Sequence, residues 1–385
     1  MLPEYPVDLA ILGSYFALIG ILVWRISPQL IQSFQQPGVA TTCWLGRMGF
    51  LGLAGASFMA TWTFMFAYFA HSYLLWKSYY GVVQSFSLNL MSQWLHGVQL
   101  FDDAWRTVCT GNWAWLWSIQ LCTFTVSVWT PIIAIEGYRR RVPHVWAYMI
   151  IGQVVAISTS SAFFFAVLLM CQDQQRQQQS SSASSTFPPW FLIFLLGLVS
   201  FGGLITVALT PHLTSSYRFL PNLLVMHGLL LLPLLYLAFT SSSSSTRIKQ
   251  TAVCHHLKSY AIIAIYCFGA CANTYLIIQQ WKRTVYSNNM ILDPLVILSH
   301  LADTFLQHPA QSSISSDVVF VYLISMTWMI VDSWPRTFTF VTHPSLVYFL
   351  VALTPFSSPS ITLPLYLALN EYCHHLSIST SIKIE

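Results

Sequence analysis

Long apolar runs alternate with short polar stretches along the whole chain. A bilayer core of about 30 Å takes about 20 residues of helix, because unpaired backbone polar groups cannot face lipid. Nine stretches meet or approach that length: Val7–Trp24, Met48–Trp76, Trp113–Ile135, Val145–Cys171, Trp190–Thr210, Phe219–Phe239, Tyr260–Gln279, Val318–Val331 and Leu346–Asn370. The eighth is short. The ninth carries Pro355, Pro359 and Pro364, which predicts a broken or interfacial helix. Trp24, Trp76, Trp113, Trp190, Trp281 and Trp334 sit at or beside run ends, where interfacial anchors belong. The pattern predicts an all-α, multi-pass transmembrane helical bundle of eight or nine spans with interfacial amphipathic helices.

Between the runs, two low-complexity stretches stand out. Residues 172–186 read QDQQRQQQSSSASST, and 241–245 is a run of five serines; neither can bury apolar area, so both read as flexible loops. The first, taken as a linker over 172–189, divides a four-span half (1–171) from a five-span half (190–385). No internal repeat is apparent between them. The loop over 78–112 contains SQWLHGVQLFDDAWRTVC, whose apolar positions predict a short amphipathic helix lying in the interface as a lid. Met290–Gln307 repeats that pattern more weakly.

Composition excludes a soluble fold. Of 385 residues 55% are hydrophobic and 7% charged, against roughly a quarter charged in a soluble domain. A net charge of +4, scattered along the chain, gives no nucleic-acid footprint. The eight cysteines form no CxxC and no disulfide framework. The N-terminus MLPEYPVDLA lacks a basic n-region, so the first run reads as a retained span. Basic residues divide nine to seven between the two sides of a nine-span chain, and the Arg139–Arg141 triplet favours its own loop as cytoplasmic.

No Asp, Glu, Lys or Arg falls in the middle of a proposed span, so an acid, if the chain is an enzyme, is expected at the membrane boundary. Asp332 ends the eighth run in MTWMIVDSWPRT, beside Trp328 and Trp334, and its position suits a general acid held neutral by an apolar setting. An ordinary interfacial carboxylate is the alternative. Glu136 closes the third run in TPIIAIEGYRRR; Arg139 and Arg140 at i+3 and i+4 offer it salt bridges instead. Asp102 and Asp103 point about 100° apart on a helix, and Arg106 stands where a DDxxD magnesium motif needs Asp; Asp103 reads instead as the start of a helix or as an acid projected from the lid. Glu371 and Asp303 read as solvated.

Neutral polar residues inside the runs are His227, Gln120, Gln153 and Asn273. Interhelical hydrogen bonding competes there with lining a substrate cavity. Candidate substrate-binding residues are therefore His227, Gln153, Gln120, Trp117 and Trp328. Cys254-His255-His256 and Cys373-His374-His375 lack zinc spacing, so neither a metal nor another cofactor is expected. Aromatic residues crowd the third and fourth runs, from Trp113 to Phe165, either as helix packing or as walls able to hold a carbocation.

The strings WAWLWSIQLCTFTVSVWTPIIAIEG-YRRR and PHVWAYMIIGQVVAIS, over Trp113–Ser158, resemble the AscI-type membrane-bound terpene cyclases of fungal meroterpenoid pathways. The resemblance implies an enzyme of the endoplasmic reticulum membrane without metal. It would protonate a terminal epoxide on a prenylated, lipophilic substrate and let the resulting carbocation close a ring. Membrane lipid is the other expected partner. The competing expectation is a small-molecule transporter or exporter, which mid-span charge or repeat symmetry would favour.

Overall fold

The computed structural model describes residues 3–35, 41–178, 187–240, 252–286, 293–333 and 344–382, and among these every regular element is helical. In chain order they are α1 (Pro6–Gln35), α2 (Thr41–Tyr79), α3 (Leu88–Gly97), α4 (Leu100–Cys109), α5 (Asn112–Phe124), a π-helical turn (Thr125–Trp129), α6 (Thr130–Arg139), α7 (Val145–Val154), α8 (Ile157–Gln178), α9 (Trp190–Leu213), α10 (Phe219–Thr240), α11 (Ala252–Tyr286), α12 (Pro294–Gln307), α13 (Pro309–Ser333), α14 (Pro344–Ser357) and α15 (Pro359–Ile382). Seven are long and apolar enough to cross a membrane: α1, α2, the continuous α5–α6 unit, α9, α10, α11 and α13. The chain is an integral membrane protein. The serine run and residues 179–186 of the linker lie outside the described residues.

The fourth and ninth apolar stretches do not cross. Ser160 Oγ donates to the Tyr148 carbonyl, although twelve residues of continuous helix would hold them about 18 Å apart. The chain therefore reverses at Val155–Ala156, and α7 and α8 form a re-entrant hairpin. Thr354 and Thr362 likewise meet side chain to side chain at 2.8 Å, so α14 and α15 form a second hairpin. Its turn is Ser358, in the left-handed region at φ 140°, ahead of Pro359. Nine hydrophobic stretches thus become seven spans and two hairpins.

Contacts at the helix ends sort the elements into two faces. On one face Arg139 meets Glu371 and Phe187, and Asp332 meets Gln172 and Asn370. On the other, Gln93 donates to Glu4, Arg106 to the Thr214 carbonyl and Gln280 to the Asn112 carbonyl. The arginine face receives the open ends of both hairpins; the lid face carries α3, α4 and α12. The expected single amphipathic helix over 92–109 is two helices, with a break at Val98–Gln99; Ser87 caps α3 and Asp293 caps α12.

This path makes the chain repeat. A descending span, an ascending span, interfacial helix, a descending span and a hairpin from the arginine face occur as α1, α2, α3–α4, α5–α6 and α7–α8. They recur as α10, α11, α12, α13 and α14–α15. In each unit the ascending span packs along the long arm of its own hairpin, α2 on α8 and α11 on α15. The descending spans cross over, α13 touching α8 and α5 touching α15. The single span α9 joins the units and restores their common direction. The repeat expected to be absent is therefore present in topology, hidden from the sequence because only the order of elements is shared.

The revised path also redistributes charge. Among the residues whose side chains are described, Arg25, Arg47, Arg139, Arg140, Arg141 and Lys258 lie on or toward the arginine face, three of them in one consecutive triplet. Among the same described residues Lys77, Arg106, Arg218, Lys282 and Arg283 fall to the lid face, with no such triplet. Positive charge is retained in the cytoplasm, so the arginine face is expected to be cytoplasmic. Tyr217, 80% exposed, separates the two paths: nine crossings put it with Arg139, whereas the hairpin puts it with the lid. In sealed vesicles, an impermeant maleimide should label Tyr217→Cys and Val83→Cys from one side and Pro143→Cys from the other. Labelling of the 217 and 143 variants from the same side would refute the hairpin.

Candidate functional site

The hairpin turn at Val155–Ala156 lies within the bundle, where water cannot satisfy the freed ends of α7 and α8. Neighbouring helices do so. Tyr15 Oη of α1 donates to the Val154 carbonyl that ends α7. Asp317 of α13 accepts the first amides of α8, from Ile157 N at 3.0 Å and Ser158 N at 2.7 Å, and also the Ser158 hydroxyl. Ser57 of α2 reaches the same turn, within hydrogen-bond distance of the Ser158 hydroxyl and 2.9 Å from that of Thr159. Asp317 is 7% exposed and sits about two turns into a 25-residue span. No carboxylate was expected at such depth. The Ser-rich start of α13 lowered its hydropathy and shortened the eighth stretch. In the structure Gln311, Ser312, Ser313, Ser315 and Ser316 are buried against other helices rather than exposed.

Above that turn is a cavity of about 200 Å³. The hairpin turn (Gly152–Ile157) supplies its floor, and the apolar face of α4 (Phe101, Ala104, Trp105, Val108) covers it toward the lid. Met65, Leu121, Met226, Leu230 and Ile314 line the sides with Tyr15 and His227. Among the described residues, Asp317 is the sole carboxylate in the lining. Gln153 presents a buried Nε2 with no hydrogen-bond partner, and His227 Nδ1 is held 2.8 Å from the Leu223 carbonyl. The floor is the GQVVAIS string of the family resemblance. Gln153 and His227, two of the residues expected to bind substrate, are brought together here.

The remaining predicted residues lie elsewhere. Asp332 is 5% exposed and off the cavity, accepting from Gln172 at 3.0 Å, Tyr366 Oη at 2.8 Å and Asn370 at 3.1 Å. Glu136 pairs with Arg139 and Arg140 at 3.3 and 2.9 Å. Glu371, expected in solvent, is 4% exposed and pairs with Arg139 at 2.8 Å while accepting from Ser259. Trp117 donates to the Leu301 carbonyl, Gln120 is engaged by Tyr322 Oη, and Trp328 stacks on Phe165 at 4.3 Å. The aromatic crowd of the third and fourth stretches is packing: Trp129 meets Phe164 and Phe165 edge-on, and Tyr148 meets Phe164. The cavity's aromatic rings come from Tyr15, Phe101 and Trp105 instead.

The two lid carboxylates part company. Asp102 pairs with Arg106 at 2.6 Å, and Arg106 continues to the Thr214 and Ser216 carbonyls and over the Phe219 ring, latching α4 to the α9–α10 turn. Asp103 lines a separate groove of about 520 Å³ on the lid face with Tyr68, His71 and His308. Burial raises its carboxyl above the usual range, and the Asp102 charge adds to this. Among the described residues no group of three His, Cys, Asp or Glu could hold a metal ion. The side chains of Cys254, His255, His374 and His375 lie outside the described residues.

A family model described as a protein of unknown function, DUF2834, matches residues 260–372. That segment runs from within α11 to within α15, most of the second repeat unit. No curated protein and no solved structure matches the chain.

Proposed function

We propose that this protein is a membrane-embedded terpene cyclase that protonates a terminal epoxide on a prenylated, lipophilic substrate held in the cavity above the α7–α8 turn, with Asp317 as the acid. The observation that carries the reading is the carboxylate of Asp317, the sole one among the described residues of the lining, in a mostly apolar, partly aromatic intramembrane cavity. A prenyl chain partitions from lipid into such a space without crossing water. Epoxide opening needs an acid at the ring oxygen and walls that keep water from the cation, and aromatic faces stabilise positive charge. The three hydrogen bonds that Asp317 accepts fix its position at the cavity edge. Glu136, committed to two arginines, is a poor proton donor, and Asp332 lies away from the cavity. The endoplasmic reticulum membrane is the compartment we propose, where lipophilic intermediates are handled.

The parallel repeat favours a second reading, a transporter of similar lipophilic cargo, because several carriers are built from two units related by an axis along the membrane normal. One experiment separates the readings. Microsomes containing the protein are given a farnesylated phenol bearing a terminal epoxide. A cyclised isomer of unchanged mass is the expected result; uptake into sealed vesicles with the epoxide intact sinks the cyclase and leaves the carrier.

A further inference from the structure

The cavity holds a second polar group on another wall. His227 lies about 12 Å along α10 from its lid-face start, and Asp317 lies the same distance along α13, so the two flank the cavity at one depth. The Leu223 carbonyl can only accept, so Nδ1 of His227 carries the hydrogen and, in the neutral ring, Nε2 keeps its lone pair. Trp105 of the covering helix packs edge-on against the imidazole at 5.8 Å and limits how it can turn. Other polar groups of the lining are not available as bases. The neutral hydroxyls of Thr61, Thr125 and Ser313, which donate to backbone carbonyls, are far weaker bases than an imidazole, and the Gln153 amide is not basic.

We propose that His227 is the proton acceptor that ends the reaction. This rests on the cyclase reading and adds to it the fate of the cation. Asp317 gives its proton to the epoxide oxygen; one of the two C–O bonds breaks with its electron pair going to oxygen, and the oxygen stays on the other carbon as a hydroxyl beside the new carboxylate. An alkene of the same chain attacks the cationic carbon and moves the positive charge along the substrate, away from Asp317. Nε2 of His227 then takes a proton from the carbon next to the final cation, and the C–H electron pair becomes the product alkene. The imidazolium later releases its proton and Asp317 regains one, so the net change is an isomerisation with no co-reactant.

The test compares His227→Gln and His227→Phe with the wild type in the microsomal assay, reading the ratio of cyclised isomer to cyclised hydrate (the isomer plus one water). Glutamine can accept a hydrogen bond at the Nε2 position but cannot carry the proton away; phenylalanine keeps the ring shape and neither function. Both folded variants should still open the epoxide while the ratio falls by at least about ten-fold, because a cation with no base beside it lives long enough for the water that the walls delay to reach and capture it. A wild-type ratio in His227→Phe overturns the assignment. So does rescue by glutamine, which would make His227 a hydrogen-bonding residue only. Loss of epoxide opening in both folded variants overturns it as well, because the base acts after the ring has opened. Absence of any isomer from the wild type removes the cyclase reading itself, an outcome none of the variant results produces.

Discussion

Asp317→Asn should lower turnover of the epoxide at least about 100-fold, the span over which a positioned general acid acts being about 10² to 10⁴. The asparagine oxygen can take the Oδ1 place and still accept from Ser158 N, whereas its NH2 group stands at the Oδ2 place opposite Ile157 N; the turn keeps part of its cap, and turnover is compared per amount of folded protein. Asp317→Ala is the contrasting variant. It leaves two backbone N–H groups buried without partners, at about 1–3 kcal/mol each, and should lower the melting temperature as well as the activity. Activity retained in Asp317→Asn would reduce the residue to a structural cap. Asp332→Asn, changed at a carboxylate off the cavity, is the companion control and should keep turning over.

The arginine face should be where the fold is most easily broken. Arg139 holds Glu371 through both guanidinium nitrogens, at 2.8 and 2.9 Å, and reaches Glu136 at 3.3 Å, which ties α6 to α15 across 232 residues of sequence. Replacing Arg139 by methionine keeps much of the stem but leaves Glu371, 4% exposed, without that partner. Removing one member of a buried pair typically costs about 3–5 kcal/mol. Thermal unfolding in detergent should show a clear fall for Arg139→Met. Restoring neutrality with Glu371→Gln in the same chain should recover part of it, since the carboxylate is then no longer charged. An unchanged melting temperature in the single variant would show that the pair is screened by water and contributes nothing.

Hydropathy was enough to give the solvent, the helical class and the location of every apolar stretch, because a bilayer imposes length and apolarity on each segment separately. It was also enough to nominate Gln153 and His227, polar groups inside apolar runs. It misjudged Asp317 for a physical reason. The polar start of α13, carried by Gln311 through Ser316, reads as a water-exposed end, whereas most of those side chains are buried against other helices and Ser313 bonds the Thr61 carbonyl. Glu371 was misread in the same way: its partner Arg139 is far away in sequence, so nothing local marks it as buried.

Reversal is the other feature that no single stretch could reveal. Val145–Cys171 has the length and apolarity of a crossing helix, contains no proline, and has no glycine at Val155–Ala156 where it turns. It turns back because Tyr15, 139 residues away, satisfies the carbonyl that ends α7, and Asp317, about 160 residues away, caps α8. The sequence by itself determined that the chain lives in lipid, since burial of apolar surface depends on composition and run length. Only the tertiary structure decided which stretches cross, how the two units repeat, and which carboxyl faces the cavity, because each of these depends on backbone ends and side chains being satisfied by partners remote along the chain.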